Sequence, residues 1–175
     1  MVLEKIPTFS EVQTWANNNF VSSVNGNTGD VTFGGYINGY QSNDLSDVDG
    51  GALANCWETI EVNSGEFTIV DNSTIEVNED GVYSVDYTCG FHQTGGDNRA
   101  IMHARVRING TDNFPHTGSR CYLRHIDSGG DKNSLSNHSM HSLNAGDTIE
   151  VFVDHDSGVI GHDLTEASCV IQKLA

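Results

Sequence analysis

Residues 81–91 read GVYSVDYTCGF and carry the clearest structural pattern in the chain. Tyr83, Val85, Tyr87, Cys89 and Phe91 stand at every second position, and small or polar residues stand between them. Successive side chains of a β-strand point to opposite faces of its sheet, so this alternation predicts a strand with one face on a core.

The same period of two recurs in residues 101–108, IMHARVRI, and in residues 147–155, DTIEVFVDH. Turn sequences such as Asn109-Gly110 separate the runs. The predicted strands are 58–62, 66–70, 73–77, 82–91, 100–109, 119–126, 135–142, 147–155 and 167–174. Many short strands joined by such turns predict an all-β sandwich of the jelly-roll type.

The N-terminal part has a different pattern. A capping-box pattern and an apolar face that includes Trp15 predict a short helix over residues 8–20. Residues 21–33 predict a small hairpin around Asn25-Gly26, and residues 34–57 are rich in Gly, Asn and Asp, which is typical of an extended arm. We therefore expect residues 1–57 to form an N-terminal anchoring segment and residues 58–175 to form the jelly-roll domain.

The composition excludes several classes of function. The chain has 175 residues, 24 of them acidic and 8 basic, and a net charge of −16 disfavours nucleic-acid binding. No apolar run is long enough for a transmembrane helix, and Met1 to Phe9 contains no apolar core of a signal peptide. None of the four cysteines belongs to a CxxC pair; we expect reduced core thiols, with a disulfide as the open alternative.

Sites for chemistry are weakly indicated. His138 and His141 would point to opposite faces of a strand, so one strand would not present both to a single ion. Residues 154–158, DHDSG, begin like a calcium loop, but the glycine comes one position early and Thr165 stands where glutamate is needed. There is no G-x-S-x-G element and no P-loop. We expect no enzyme activity, no catalytic residue, no metal and no cofactor, with calcium kept open.

Two resemblances follow from these residues. Residues 22–32, SSVNGNTGDVT, resemble the SVNGxTGxV element of phage fibre proteins. Residues 66–175 resemble the tumour-necrosis-factor-like jelly roll, in the branch that includes the complement globular head. The matching runs are GVYSV at 81–85, RVRING at 105–110 and LNAGDTI at 143–149. The chain departs from that branch at its last strand, which lacks the closing F.G.L, and it has no collagen-like stalk.

The jelly-roll resemblance implies a homotrimer without catalytic machinery, with strands packed about a threefold axis and aromatic residues lining that axis. Tyr83, Tyr87 and Phe91 are the candidate interface residues of the first strand. Phe152 is a fourth candidate, because it lies on the otherwise polar face of its strand.

The fibre-like element implies a virus particle, assembled in the host cytoplasm, as the location. We expect a trimeric capsid decoration, cement or head-fibre protein on the virion surface. Its partner would be the major capsid protein or another virion protein, contacted through Trp15, Phe20, Val24 and Phe33. The alternative is the receptor-binding tip of a tail fibre; adhesion to host glycans is compatible with either, and membrane insertion is not expected.

Overall fold

A computed structural model describes most of the chain and shows it to be built of β-strands. The described residues are 34–94, 99–111, 117–124, 131–156 and 161–174, together with the backbone of Ser23–Val24 and Asn27–Thr28. The strands are β1 (Ser23–Val24), β2 (Asn27–Thr28), β3 (Tyr36–Tyr40), β4 (Ala52–Leu53), β5 (Thr59–Asn63), β6 (Phe67–Ile69), β7 (Thr74–Val77), β8 (Gly81–Gln93), β9 (Arg99–Ile108), β10 (Ser119–Arg124), β11 (Lys132–Leu143), β12 (Thr148–His155) and β13 (His162–Lys173). Among these described residues no helix has the length and apolar character needed to cross a membrane.

The chain divides into two units, Met1–Phe33 and Gly34–Ala175. In the first unit, β1 and β2 pair antiparallel with Ser23 opposite Thr28 and Val24 opposite Asn27. This pairing lies within the hairpin predicted over residues 21–33, whose other residues lie outside the described ones. The helix predicted over residues 8–20 lies outside the described residues.

The second unit contains two antiparallel sheets. One has five strands in the order β11-β8-β13-β3-β5, and the other has six strands, in the order β10-β9-β12-β7-β6 with β4 paired to β12. Strand β8, which contains residues 81–91, pairs along its length with β11 on one side and β13 on the other. The nine strands predicted beyond residue 57 are confirmed, with ends that differ by at most three residues except for β13, which begins at His162 and not at residue 167.

The core lies between the two sheets and follows the alternation in the sequence. The five alternating residues of β8 are buried, and so are the apolar positions of β9 and β12: Met102, Ala104, Val106, Ile108, Ile149, Val151 and Val153. Since the opposite positions on these strands are mostly polar, each strand places its apolar side on the core.

The predicted boundary between residues 57 and 58 needs correction. Strand β3 pairs with β13 and β5 inside the five-stranded sheet, and Ile37, Val48 and Trp57 are buried in the core. Gly39 is needed here, because a Cβ at this position would lie 2.6 Å from the carbonyl oxygen of Cys56. Residues 34–57 are therefore part of the jelly-roll domain and do not form an extended arm.

The four cysteines lie in this interior as free thiols. Burial raises the pKa of Cys56 to about 12 and the pKa of Cys121 to about 11. Burial also raises the pKa of Cys89 and of Cys169 well above the usual value of 9.0. All four thiols are consequently protonated at neutral pH and act as small core side chains.

Candidate functional site

The outward face of the five-stranded sheet is a candidate interaction surface. Asp86 on β8 lies between His138 on β11 and Val170 on β13. The side chains around it form an open depression of about 470 Å³. Its lining residues are Asp86, Tyr87, Thr88, Ser136, Asn137, His138, Ser168 and Val170.

Large apolar side chains are exposed on this face. Met140 is 61% exposed and Val170 is 38% exposed, and Tyr36 and Tyr40 of β3 are exposed beside them. The strand registers arrange the face in rows, which read Met140–Ser84–Gln172–Tyr36, His138–Asp86–Val170–Asn38 and Ser136–Thr88–Ser168–Tyr40. Exposed apolar side chains grouped among small polar ones are typical of a protein interaction surface.

One acidic residue stands in these rows, Asp86, and its side chain contacts a histidine. A carboxylate oxygen of Asp86 lies 2.8 Å from Nδ1 of His138, and both side chains are about half exposed. The sequence analysis missed this face. The alternating pattern identifies the large apolar residues that point into the core, whereas the residues on the other side of the strands are a mixture of polar and apolar types without a pattern.

Three of the predicted interface residues need correction. Tyr83, Tyr87 and Phe91 are 0%, 2% and 1% exposed within a single chain. The hydroxyl groups of Tyr83 and Tyr87 donate to backbone carbonyls of the same chain, Glu79 for Tyr83 and Ala104 or Thr117 for Tyr87. They belong to the core, and almost no surface remains on them for a neighbouring subunit.

Phe152 lies on the outward face of the six-stranded sheet, as its strand position predicts. The guanidinium carbon of Arg107 is 3.3 Å from its ring centroid and that of Arg105 is 4.9 Å away. Gly51 packs on the ring so closely that a Cβ there would lie 2.5 Å from Cζ of Phe152. The ring is thus half-buried by its own chain, and a subunit contact through it stays a prediction.

The predicted anchoring residues lie largely outside the described residues. Trp15, Phe20 and Phe33 are not described, and for Val24 the structure gives the backbone only, in β1. Their contact with a partner stays a prediction.

A cluster of ligand-type side chains lies at the end of the sandwich where β12 ends and β13 begins. Asp49, in the connection between β3 and β4, His155 and His162 each place one oxygen or nitrogen atom within 4.8 Å of the others. Oδ1 of Asp49 is 2.6 Å from Nδ1 of His162 and 3.8 Å from Nε2 of His155. These are residue types that could hold a metal ion. Sequence reasoning missed the cluster because Asp49 lies in the segment interpreted as an arm.

The acidic residues on either side of His155 face the other way. Asp154 accepts two hydrogen bonds from Arg105, at 3.0 and 2.8 Å, and Oδ1 of Asp156 lies 3.1 Å from Nε2 of His103. Residues 157 and 158 lie outside the described residues, so the calcium loop considered at residues 154–158 stays a prediction.

A serine and a histidine meet on β11 without forming an accessible site. Oγ of Ser139 lies 2.9 Å from Nε2 of His141, but both residues are buried. A nucleophile must be reachable by its substrate, so this pair is better explained as hydrogen bonding within the core.

Comparison with known proteins supports the fold. No family model and no curated protein matches the sequence. Among solved structures, murine APRIL at pH 5.0 matches with a TM-score of 0.51 at 14% identity, covering 79% of this chain and 98% of that chain. The fold is a tumour-necrosis-factor-like jelly roll.

Two further structures are similar. Murine APRIL at pH 8.0 gives a TM-score of 0.51 at 15% identity, with the same coverage of both chains. The globular domain of zebrafish complement 1qA protein gives 0.49 at 8% identity and covers 81% of this chain and 98% of that chain. At these identities the likeness to murine APRIL shows the jelly-roll architecture alone.

Proposed function

We propose that this chain is a non-enzymatic structural protein that assembles as a homotrimer through the outward face of its five-stranded sheet. The observation that carries this proposal is the exposure of Met140, Val170, Tyr36 and Tyr40 on one continuous sheet face. Burial of such apolar surface is the dominant favourable term in most protein association.

Charge supports a second copy of the chain as the occupant of this face. Two chains that each carry a net charge of −16 repel each other, so a contact between copies requires a surface of low charge. The rows around Val170 suit such a contact, since Asp86 is their one acidic residue. Three copies, rather than two, follow from the jelly-roll resemblance.

The particle setting comes from the N-terminal unit. Residues 22–32 resemble the phage-fibre element, and β1 and β2 lie within that run. We place residues 1–33 as the segment that attaches the trimer to the major capsid protein or another virion protein, with Trp15 and Phe20 as its principal apolar contacts. The protein would then cross-link neighbouring capsid subunits on the virion surface by burying area between them.

Labelled-antibody electron microscopy of purified virions tests this setting. Label on the head supports decoration, whereas label on the tail supports the receptor-binding tip of a tail fibre. Unlabelled particles would contradict a virion protein altogether. Particles that lack the protein should also lose integrity at lower temperature, and unchanged heat stability would contradict the cementing role.

Variants of the attachment segment test its part in the proposal. Trp15→Ala combined with Phe20→Ala should reduce incorporation into particles and leave the trimer intact in solution. Tyr122→Ala, at an exposed position of β10, is the control and should be incorporated normally. Normal incorporation of the double variant would contradict attachment through residues 1–33.

A further inference from the structure

The Asp49, His155 and His162 side chains are drawn together by the backbone around them. Oδ2 of Asp49 accepts a hydrogen bond from the Gly161 amide at 2.6 Å, and Oδ1 accepts from the His162 amide at 3.2 Å. The Val48 amide donates to the carbonyl of His162 at 2.9 Å. The connection that carries Asp49 is thereby fixed to the start of β13, so the three side chains meet without any rearrangement of strands.

The cluster is almost wholly removed from water. The side chains of His162, His155 and Asp49 are 0%, 9% and 14% exposed. Nδ1 of His162 is bonded to Asp49, while its Nε2 is buried with no hydrogen-bond partner in the described structure. Nδ1, the nitrogen that faces Asp49, is therefore the atom of His162 that would contact a cation held among the three side chains.

The spacing of the cluster suits an ion. Two ligands of a tetrahedral zinc ion, each about 2.0–2.1 Å from the metal, lie about 3.3 Å apart. The distances from Oδ1 of Asp49 to the two histidine nitrogens, 2.6 and 3.8 Å, lie on either side of this value. Small side-chain rotations would therefore bring three ligands to one ion.

We propose that Asp49, His155 and His162 bind one divalent transition-metal ion, with zinc as the best match. Two imidazoles and one carboxylate suit zinc and similar metals, whereas calcium and magnesium prefer sites made of oxygen ligands alone. The ion would join the β3–β4 connection to the ends of β12 and β13 and stabilise that end of the sandwich. This site is independent of the subunit contact and of the virion setting.

Zinc binding to the untagged, chelator-treated full chain tests the proposal. Titration calorimetry with zinc chloride should give one ion per chain, and zinc should raise the Tm. Asp49→Asn and, separately, His155→Ala should weaken binding by roughly 100-fold or more. His138→Ala is the matched control, because His138 also contacts an aspartate, Asp86, but on the exposed sheet face; it should bind zinc as the unaltered chain does.

Cobalt chloride supplies a second readout if a variant fails to fold. The unaltered chain should develop the visible absorption bands of tetrahedral cobalt, and zinc should displace them. The proposal is overturned if the chain binds neither zinc nor cobalt stoichiometrically, since the cluster is then a hydrogen-bonded Asp–His group only. It is equally overturned if folded Asp49→Asn and His155→Ala proteins bind zinc unchanged.

Discussion

The hydroxyl oxygen of Tyr87 lies 2.7 Å from the carbonyl oxygen of Ala104 and joins the two sheets inside one chain. It also lies 2.8 Å from the carbonyl oxygen of Thr117, so its single proton is shared between two acceptors. Tyr87 is on β8 of the five-stranded sheet and Ala104 is on β9 of the six-stranded sheet. Burial raises the pKa of Tyr87, which keeps this hydroxyl protonated as a donor.

Replacement of Tyr87 by phenylalanine should lower the free energy of unfolding by about 1–2 kcal/mol, because two buried carbonyl oxygens lose this donor. Urea denaturation measures the change. Tyr122→Phe, at an exposed position, is the control and should change stability little. Since Tyr87 is a core residue, the Tyr87→Phe variant should keep the subunit number of the unaltered chain. Dissociation of the variant into monomers would instead indicate that Tyr87 contributes to the subunit interface.

Replacement of Gly51 by alanine should destabilise the domain more than an ordinary glycine substitution. Gly51 has a φ of 82°, and its new Cβ would collide with the Phe152 ring. Gly110→Ala measures the effect of backbone strain alone, because Gly110 has a φ of 68° and no atom lies within 4 Å of a Cβ built there. This substitution should lower the free energy of unfolding by about 1–2 kcal/mol.

The collision with the Phe152 ring should lower the free energy of unfolding of the Gly51→Ala variant by a further amount of about 1–3 kcal/mol. In a Phe152→Ala background the ring is absent, so Gly51→Ala should then cost no more than Gly110→Ala. Thermal unfolding of this double-mutant cycle measures the coupling. If Gly51→Ala and Gly110→Ala lower the stability of the otherwise unaltered chain equally, a Cβ at position 51 does not collide with the Phe152 ring.

Alkaline pH should destabilise the protein through its buried thiols. The folded-state pKa values of Cys56 and Cys121, about 12 and about 11, lie above the usual value of 9.0. Above pH 9 the unfolded chain therefore releases protons that the folded chain retains, and the free energy of unfolding falls as the pH rises. Denaturation at pH 7.5 and pH 10 tests the sign.

The same burial should make the thiols unreactive in the folded protein. A thiol reagent at pH 8 should label all four cysteines quickly in denaturant and label the folded chain only at the rate of unfolding. Rapid labelling of the folded chain would contradict their placement in the core.

Charge introduced on the outward face should separate the subunits. Met140→Asp combined with Val170→Asp places two carboxylates where apolar side chains would meet a second copy, and desolvating them in a contact is unfavourable. Sedimentation velocity should show a folded monomer. Val70→Asp, at an exposed apolar position in the other sheet's β6–β7 connection, should leave assembly unchanged. An intact oligomer in the double variant would place the interface elsewhere.

The strands could be predicted because their signal is local. Alternation along β8, β9 and β12 reports which side of each strand meets the core, and this is a property of a few neighbouring residues. Strand β3 could not be recognised in the same way, since Ile37 is its one large buried residue and its place depends on pairing with β13, far along the chain.

The candidate sites depended on contacts that no local pattern records. Asp49 and His162 are 113 residues apart, and only the fold brings them to 2.6 Å. The interface prediction was wrong for Tyr83, Tyr87 and Phe91 for a related reason: the most regular aromatic pattern marks the inside of a sandwich. The outside is marked by exposure of single residues such as Met140, which requires the three-dimensional structure.

The mass of the full chain in solution tests the central claim most directly. Size-exclusion chromatography with light scattering at micromolar concentration should give three times the 18.9 kDa mass of the chain. A stable species of 18.9 kDa under the same conditions would contradict the homotrimer and the role proposed for the outward face of the five-stranded sheet.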